Sequence, residues 1–234
     1  MLRARGLRKS FGPVLAVRNV SFTLERGRIT ALVGENGAGK TTTLRMIVGL
    51  LGRDAGSVEI DASRVGYIPE HPAYFSWLSG ASLLDLTVRA FGFSPGKLRT
   101  EVPRLCDKIG FETELLLRRP ATYSVGNLRK FAYLQNLAVR PDMFVVDESF
   151  AALDPLSIMR LRELFAELRE KGTTILLSSH ILAELDKIAD DFIMMRKGEV
   201  VARSGLSRFR SAGARTSAHD LESVFMELAQ TGPR

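Results

Sequence analysis

The sequence predicts an α/β fold: a mainly parallel sheet, with an antiparallel β part at the N-terminal end and an inserted α-helical subdomain. Three observations predict it. Short, continuously apolar runs recur along the chain, as strands covered on both faces require. One of them passes through glycines directly into a helical pattern, which is how a parallel α/β unit opens. Between Ser79 and Val139 the apolar residues switch to helical spacing.

The first 27 residues read as short strands. Val14 to Val20 and Phe22 to Leu24 carry β-branched and apolar residues, punctuated by Gly12, Pro13 and Gly27. Ile29 to Val33 is a compact apolar run ending in glycines, and Leu44 to Leu51 reads as the helix that follows. Arg64 to Ile68, Met143 to Asp147, Thr173 to Ser178 and Phe192 to Met195 are the further buried strands. In the helical insert, spanning about 71–140, Leu83, Leu84, Val88 and Phe91 share one face, and Leu128, Phe131, Leu134 and Ala138 share another. Asp154-Pro155 caps and starts a helix in which Ile158, Leu161, Phe165 and Leu168 align, and Gly172 ends it. Ser204 to Ala218, rich in Ser, Gly, Ala and Arg, reads as a loose connection. Within the tail 206–234, Leu221, Val224, Phe225 and Leu228 predict a last short helix. The whole is expected to be one domain, its core formed by residues 1–70 and 141–205.

The 234 residues are enough to bury a substantial core. Lys and Arg outnumber Asp and Glu by 33 to 26, a net charge of +7, but no basic run concentrates the excess, so no nucleic acid partner is expected. The single cysteine, Cys106, has no partner for an internal disulfide, which suits a reducing cytosol. No apolar stretch approaches the roughly 20 residues of a membrane-spanning helix. A membrane role therefore calls for a separate spanning partner.

Gly34-Glu35-Asn36-Gly37-Ala38-Gly39-Lys40-Thr41 fits the phosphate-loop pattern G-x-x-x-x-G-K-[ST] between a strand and a helix. Its glycines let successive N–H groups point at phosphate oxygens, and the helix N-terminus adds partial positive charge. Lys40 is placed to reach the outer phosphates, and the Thr41 hydroxyl to ligate Mg²⁺. The absence of an Asn-Lys-x-Asp run argues against guanine reading. Further along, four apolar residues deliver Asp147 and Glu148 to a strand end. Asp147 suits Mg²⁺, and Glu148 suits activation of a water.

In this order the motifs resemble the ABC ATPase family, a branch of the P-loop NTPases, from about Leu2 to Leu228. Gly34–Thr42 resembles its Walker A loop, Phe144–Glu148 its Walker B strand with the catalytic Glu, and Ala151–Asp154 its D-loop. Ser178-Ser179-His180 resembles the switch histidine, Tyr67–Glu70 the Q-loop, and Tyr123–Asn127 the signature. Phe11 lies at the adenine-stacking position. The resemblance implies an ATPase with ATP and Mg²⁺ as cofactors. Glu148, His180 and Lys40 would be catalytic. Phe11, Gly34, Glu35, Asn36, Gly37, Ala38, Gly39, Lys40, Thr41 and Thr42 would hold the nucleotide, joined by Ser124 and Gly126 across a dimer interface. Thr41, Asp147 and Glu70 would face the metal. Three departures stand out: Val125 and Asn127 within the signature, Glu70 for the usual Gln, and Ser149-Phe150 after the catalytic Glu. The Tyr-Ser-x-Gly signature resembles an exporter-type subset.

The implied partners are a second ABC subunit, identical or not, and a transmembrane permease docking near residues 70–80, where Tyr74, Phe75 and Trp77 suit a helix-receiving groove. The implied location is the cytoplasmic face of the cell membrane, and the implied work is export. The rival is a soluble ABC ATPase of translation or DNA metabolism. Against it, no heptad run separates Thr41 from Ser124, and only one cassette is present.

Overall fold

The structure, a computed structural model, describes residues 1–205. The loose tail and short helix expected at 206–234 fall outside the described residues. The chain opens with a hairpin of β1 (Leu2–Phe11) and β2 (Val14–Leu24), followed by β3 (Ile29–Val33), α1 (Lys40–Ile47), β4 (Ala55–Ile60) and β5 (Val65–Ile68). Three helices come next: α2 (Gly80–Ala90), α3 (Pro95–Ile109) and α4 (Val125–Ala138). The remainder is β6 (Met143–Val146), α5 (Pro155–Glu170), β7 (Thr174–Ser178), the short α6 (Leu182–Asp186), β8 (Asp191–Arg196) and β9 (Glu199–Gly205).

All nine strands described form one sheet, in the order β4-β1-β2-β9-β8-β3-β7-β6-β5. Strands β5, β6, β7, β3 and β8 run parallel. Antiparallel pairing joins β1 to β2, β1 to β4, and β8 to β9. The α/β class, the mainly parallel sheet and the antiparallel N-terminal part are therefore as expected.

The alternation of side chains explains why the central strands read as unbroken apolar runs. Ile29, Ala31 and Val33 of β3, Phe144 and Val146 of β6, and Ile175 and Leu177 of β7 enter one core beneath α4 and α5. Leu32, Met143, Val145 and Leu176 enter a second core, with Leu44 of α1 and the hairpin residues Leu7, Val17 and Val20. Each face is covered, so neither can be polar. In the first core Tyr133 lies edge-on to Phe144 and Phe165, with ring centroids 6.1 and 6.0 Å apart. Such pairs add about 0.5–1.5 kcal/mol each beyond their buried area.

Several elements differ from expectation. β4 and β9 were not anticipated, because only part of each strand is covered and its apolar residues are few. β9 also claims Ser204 and Gly205, so the expected loose connection begins two residues early. Leu44 to Leu51 was expected as the helix, but α1 begins at Lys40, directly on the glycine loop, and stops at Ile47, where Leu50 N–H turns back onto the Arg45 carbonyl at 2.9 Å. Phe91, expected on the inner face of α2, is 43% exposed at its C-terminal end. Among the described residues no helix is long and apolar enough to cross a membrane.

The helical insert is tied to the core at Glu167 of α5, whose carboxylate takes Lys108 of α3 and, at 2.5 Å, Lys171. Lys108, then Lys171, hold its carboxyl down at about 2. A folded-state value below the ordinary one contributes stability above about pH 4.5 that is lost as pH falls toward 2. Glu167→Gln should therefore cost about 1 kcal/mol or less at neutral pH, since Lys171 is largely solvated. Its stability should also vary less with pH between about 4.5 and 2, measured by urea unfolding across that range. A wild-type slope in the variant would rule this out.

Candidate active site

The expected site assembles where β3, β6 and β7 end. The loop after β3 approaches its neighbours too closely for side chains. A Cβ on Gly34, at φ 155°, would stand 2.3 Å from the Met195 carbonyl oxygen, and one on Gly39, at φ 98°, 2.6 Å from that of Ala16. Only glycine meets both constraints at these points. Gly39 is the N-cap of α1 and supplies no side-chain bond to the helix start. The first-turn amides, with the positive end of the helix dipole, are thus presented to an anion. Glu35, Asn36 and Gly37 form the exposed crest of the loop, Ala38 is buried beneath it, and Thr41 and Thr42 are half-buried on the first turn.

Lys40 is buried, and its Nζ donates to the carbonyls of Gly34 at 2.7 Å and Glu35 at 3.2 Å. The same Nζ stands 3.9 Å from Glu148 Oε1. The other carboxylate oxygen, Oε2, lies 2.7 Å from His180 Nδ1 and accepts the His180 N–H at 3.3 Å. A carboxylate oxygen accepts, so Nδ1 is the donor in this pair. Lys40, Glu148 and His180, far apart in sequence, therefore form one connected group.

Asp147 is fully buried. Its Oδ1 accepts the Ser178 hydroxyl at 2.7 Å, whereas Oδ2, also buried, has no hydrogen-bond partner among the described residues. An orphaned carboxylate oxygen is costly unless a cation or water completes it. Ser178 in turn accepts Glu148 N–H at 2.8 Å, so one hydroxyl holds both acidic residues. Glu148 itself sits at φ 51°, the left-handed region, which costs a non-glycine residue of order 1–3 kcal/mol and persists only where surroundings over-determine it.

The other expected residues lie around this group. Phe11 ends β1 and is 49% exposed, with Lys9 Nζ 5.8 Å from its ring centroid. Glu70 is exposed, and its carboxylate turns to His71 at 3.8 Å. Ser124 is the N-cap of α4 and accepts Asn127 N–H at 3.2 Å. Val125, in ordinary helical geometry, is 70% exposed beside it. Gly126 packs against the turn after β6, where an added Cβ would meet the Ala152 carbonyl at 3.1 Å. No hydrogen bond among the described residues joins Ser124 or Gly126 to the Lys40 group.

The aromatic run after Glu70 divides between two roles. Tyr74 packs into the core, its ring centroid 5.2 Å from Phe131, whereas Phe75 and Trp77, at 52% and 68% exposure, stack on each other outside.

Sequence reasoning missed three contributors. Ser178 was noted only as part of a motif. Arg129 and Tyr133 of α4 were not singled out, yet Arg129 is 2% exposed and donates to carbonyls around the site, and Tyr133 donates to the Ser149 carbonyl at 2.8 Å. Burial pushes the Tyr133 hydroxyl up to about 12, so it remains a donor at neutral pH. The available signal was a charge and a phenol spaced i and i+4 along one helix, among the apolar Leu128, Phe131, Ala132 and Leu134.

Known proteins resemble this chain over most of its length. Residues 17–151 match the family described as ABC transporter. The ABC-type transporter ATP-binding protein EcsA of Bacillus subtilis (strain 168) is 36% identical over 230 residues, covering 93% of this chain and 91% of its own length. The lantibiotic transport ATP-binding protein SrtF of Streptococcus pyogenes is 30% identical, covering 86% of this chain and 89% of its own. A solved structure of an ATP-binding subunit of an ABC transporter superposes with a TM-score of 0.86 at 30% identity, covering 98% of this chain and all of that one. A glycine loop shaped for phosphate, the acidic strand end beside it and full-length likeness to such proteins place this chain in the ABC transporter family, among its ATP-binding subunits.

Proposed function

We propose that the chain hydrolyses Mg²⁺-ATP as one half of a dimer and drives export through a separate transmembrane partner from the cytoplasmic face of the membrane. The observation that carries the hydrolytic reading is the Lys40–Glu148–His180 group at the mouth of the glycine loop. The loop amides and Lys40 bind the phosphates, and Phe11 offers a ring face to adenine. Glu148 orients a water and takes its proton, while His180, held by the same carboxylate, steadies that water against the terminal phosphate.

The residues present fit magnesium. Asp147 has an unsatisfied buried oxygen, Thr41 supplies a hydroxyl on the first turn, and Glu70 adds a carboxylate at the rim. Magnesium takes few protein oxygens and completes its shell with water and phosphate. When bound, it neutralises charge on the phosphate oxygens.

A dimer is supported by the exposure of Ser124 and Val125 at the start of α4, whose solvent-facing N-terminal end suits a phosphate held by a second subunit. Phe75 and Trp77 support a docking surface for the membrane partner. Export is supported by the Tyr-Ser-x-Gly signature and by the similarity to a lantibiotic transport protein.

Purified protein should release phosphate from ATP only with magnesium present, in a saturable reaction. Phosphate release indifferent to magnesium would end this reading. In cells, the chain should co-purify with a polytopic membrane protein from detergent extracts. Trp77→Ser should weaken that association and leave basal hydrolysis unchanged.

A further inference from the structure

Arg129 is a buried cation whose hydrogen-bonding capacity goes to main-chain carbonyls of two separate segments. Nη1 donates to the Pro69 carbonyl at 2.7 Å and the Glu70 carbonyl at 3.0 Å. Nη2 donates to the carbonyls of Asp147 and Glu148, each at 2.5 Å. Nε, also buried, has no hydrogen-bond partner among the described residues. The first pair belongs to the loop after β5, the second to the turn after β6, and the side chain itself projects from α4, five residues past Ser124. Three elements that meet at the site are thus joined by one planar group. An ammonium lacks this rigid fork and cannot reproduce two divergent pairs of bonds.

We infer that Arg129 is a positioning residue for hydrolysis: it sets the Glu148 carboxylate, and the loop carrying Glu70, relative to α4. The reason lies in the Glu148 backbone. At φ 51° this residue needs external restraint. Ser178 holds its N–H, and Arg129 holds its carbonyl. With both peptide groups held, the direction in which the side chain leaves the backbone is set, and its carboxylate reaches Lys40 and His180 from there. One turn along α4, Tyr133 fixes the next carbonyl, that of Ser149. Because the restraint comes from α4, any displacement of the helix that carries Ser124 is passed to the acidic residues through Arg129. This rests on Glu148 being the group that activates water.

The test compares wild type, Arg129→Lys, Arg129→Gln and Glu148→Gln as full chains. The readouts are kcat and KM for magnesium ATP, ATP affinity by fluorescent-analogue titration, and thermal midpoint. Misplacing a catalytic group by about 1 Å costs on the order of 10²-fold. Arg129→Lys should therefore lower kcat by about tenfold or more and Arg129→Gln further, with KM and ATP affinity within about threefold of wild type. Wild-type kcat in Arg129→Lys with Glu148→Gln inactive would overturn the positioning role alone. Wild-type hydrolysis in Glu148→Gln would instead overturn the reading beneath it. Loss of ATP affinity in step with kcat, or failure of both Arg129 variants to fold, would also overturn the inference, since Arg129 would then simply hold the fold together.

Discussion

Glu148→Gln should bind ATP at least as tightly as the wild type and hydrolyse it about 10²–10⁴-fold more slowly, the usual worth of a positioned general base. The amide keeps the shape of the carboxylate. Its oxygen still accepts the His180 N–H, and the backbone restraints on the residue do not involve the side chain. The variant loses the ability to take a proton. It also loses a negative charge 3.9 Å from Lys40, which removes a competitor for the ammonium that phosphate needs. Binding and turnover should therefore move apart, the first holding or improving while the second collapses. Phosphate-release kinetics alongside nucleotide titration would show this. A variant that hydrolyses ATP at the wild-type rate would remove Glu148 from the reaction.

Lys40→Ala should lower ATP affinity by about 10- to 150-fold, the equivalent of one charge-assisted hydrogen bond of about 1.5–3 kcal/mol. Lys40 Nζ rests on the carbonyls of Gly34 and Glu35. Those carbonyls compensate a buried ammonium, and a phosphate oxygen would compensate it better by bearing charge. Removing the side chain leaves the Gly34 carbonyl short of a donor, a cost of about 1 kcal/mol that the fold tolerates. Circular dichroism should thus remain native while nucleotide titration in magnesium weakens. Unchanged affinity in a folded variant would mean that the loop binds no triphosphate in the manner proposed.

The other predictions test connections rather than the chemistry itself. Glu167 reports on how α3 of the helical insert is fastened to α5, and Arg129 on how α4 is fastened to the acidic residues. Both depend on side chains of one element meeting carbonyls or charges of another. That dependence also separates what was readable from what was not.

By itself the sequence determined the α/β class, the central strands and the glycine loop. These are local properties. A strand covered on both faces must be apolar at every position, and a backbone that curls around an anion needs glycine at particular points, so each leaves its mark in adjacent residues. The order of motifs also picked out Lys40, Asp147, Glu148 and His180. Tertiary structure alone decided how they meet: Ser178 bridging Asp147 and Glu148, the left-handed backbone of Glu148, and the fork of Arg129 across two loops. It likewise decided that Tyr74 turns inward while Phe75 and Trp77 remain outside, and that β4 and β9 extend the sheet. Partners of this kind are set by how separate segments pack. No window along the chain contains both halves of such a contact, so its energy leaves no local pattern to read.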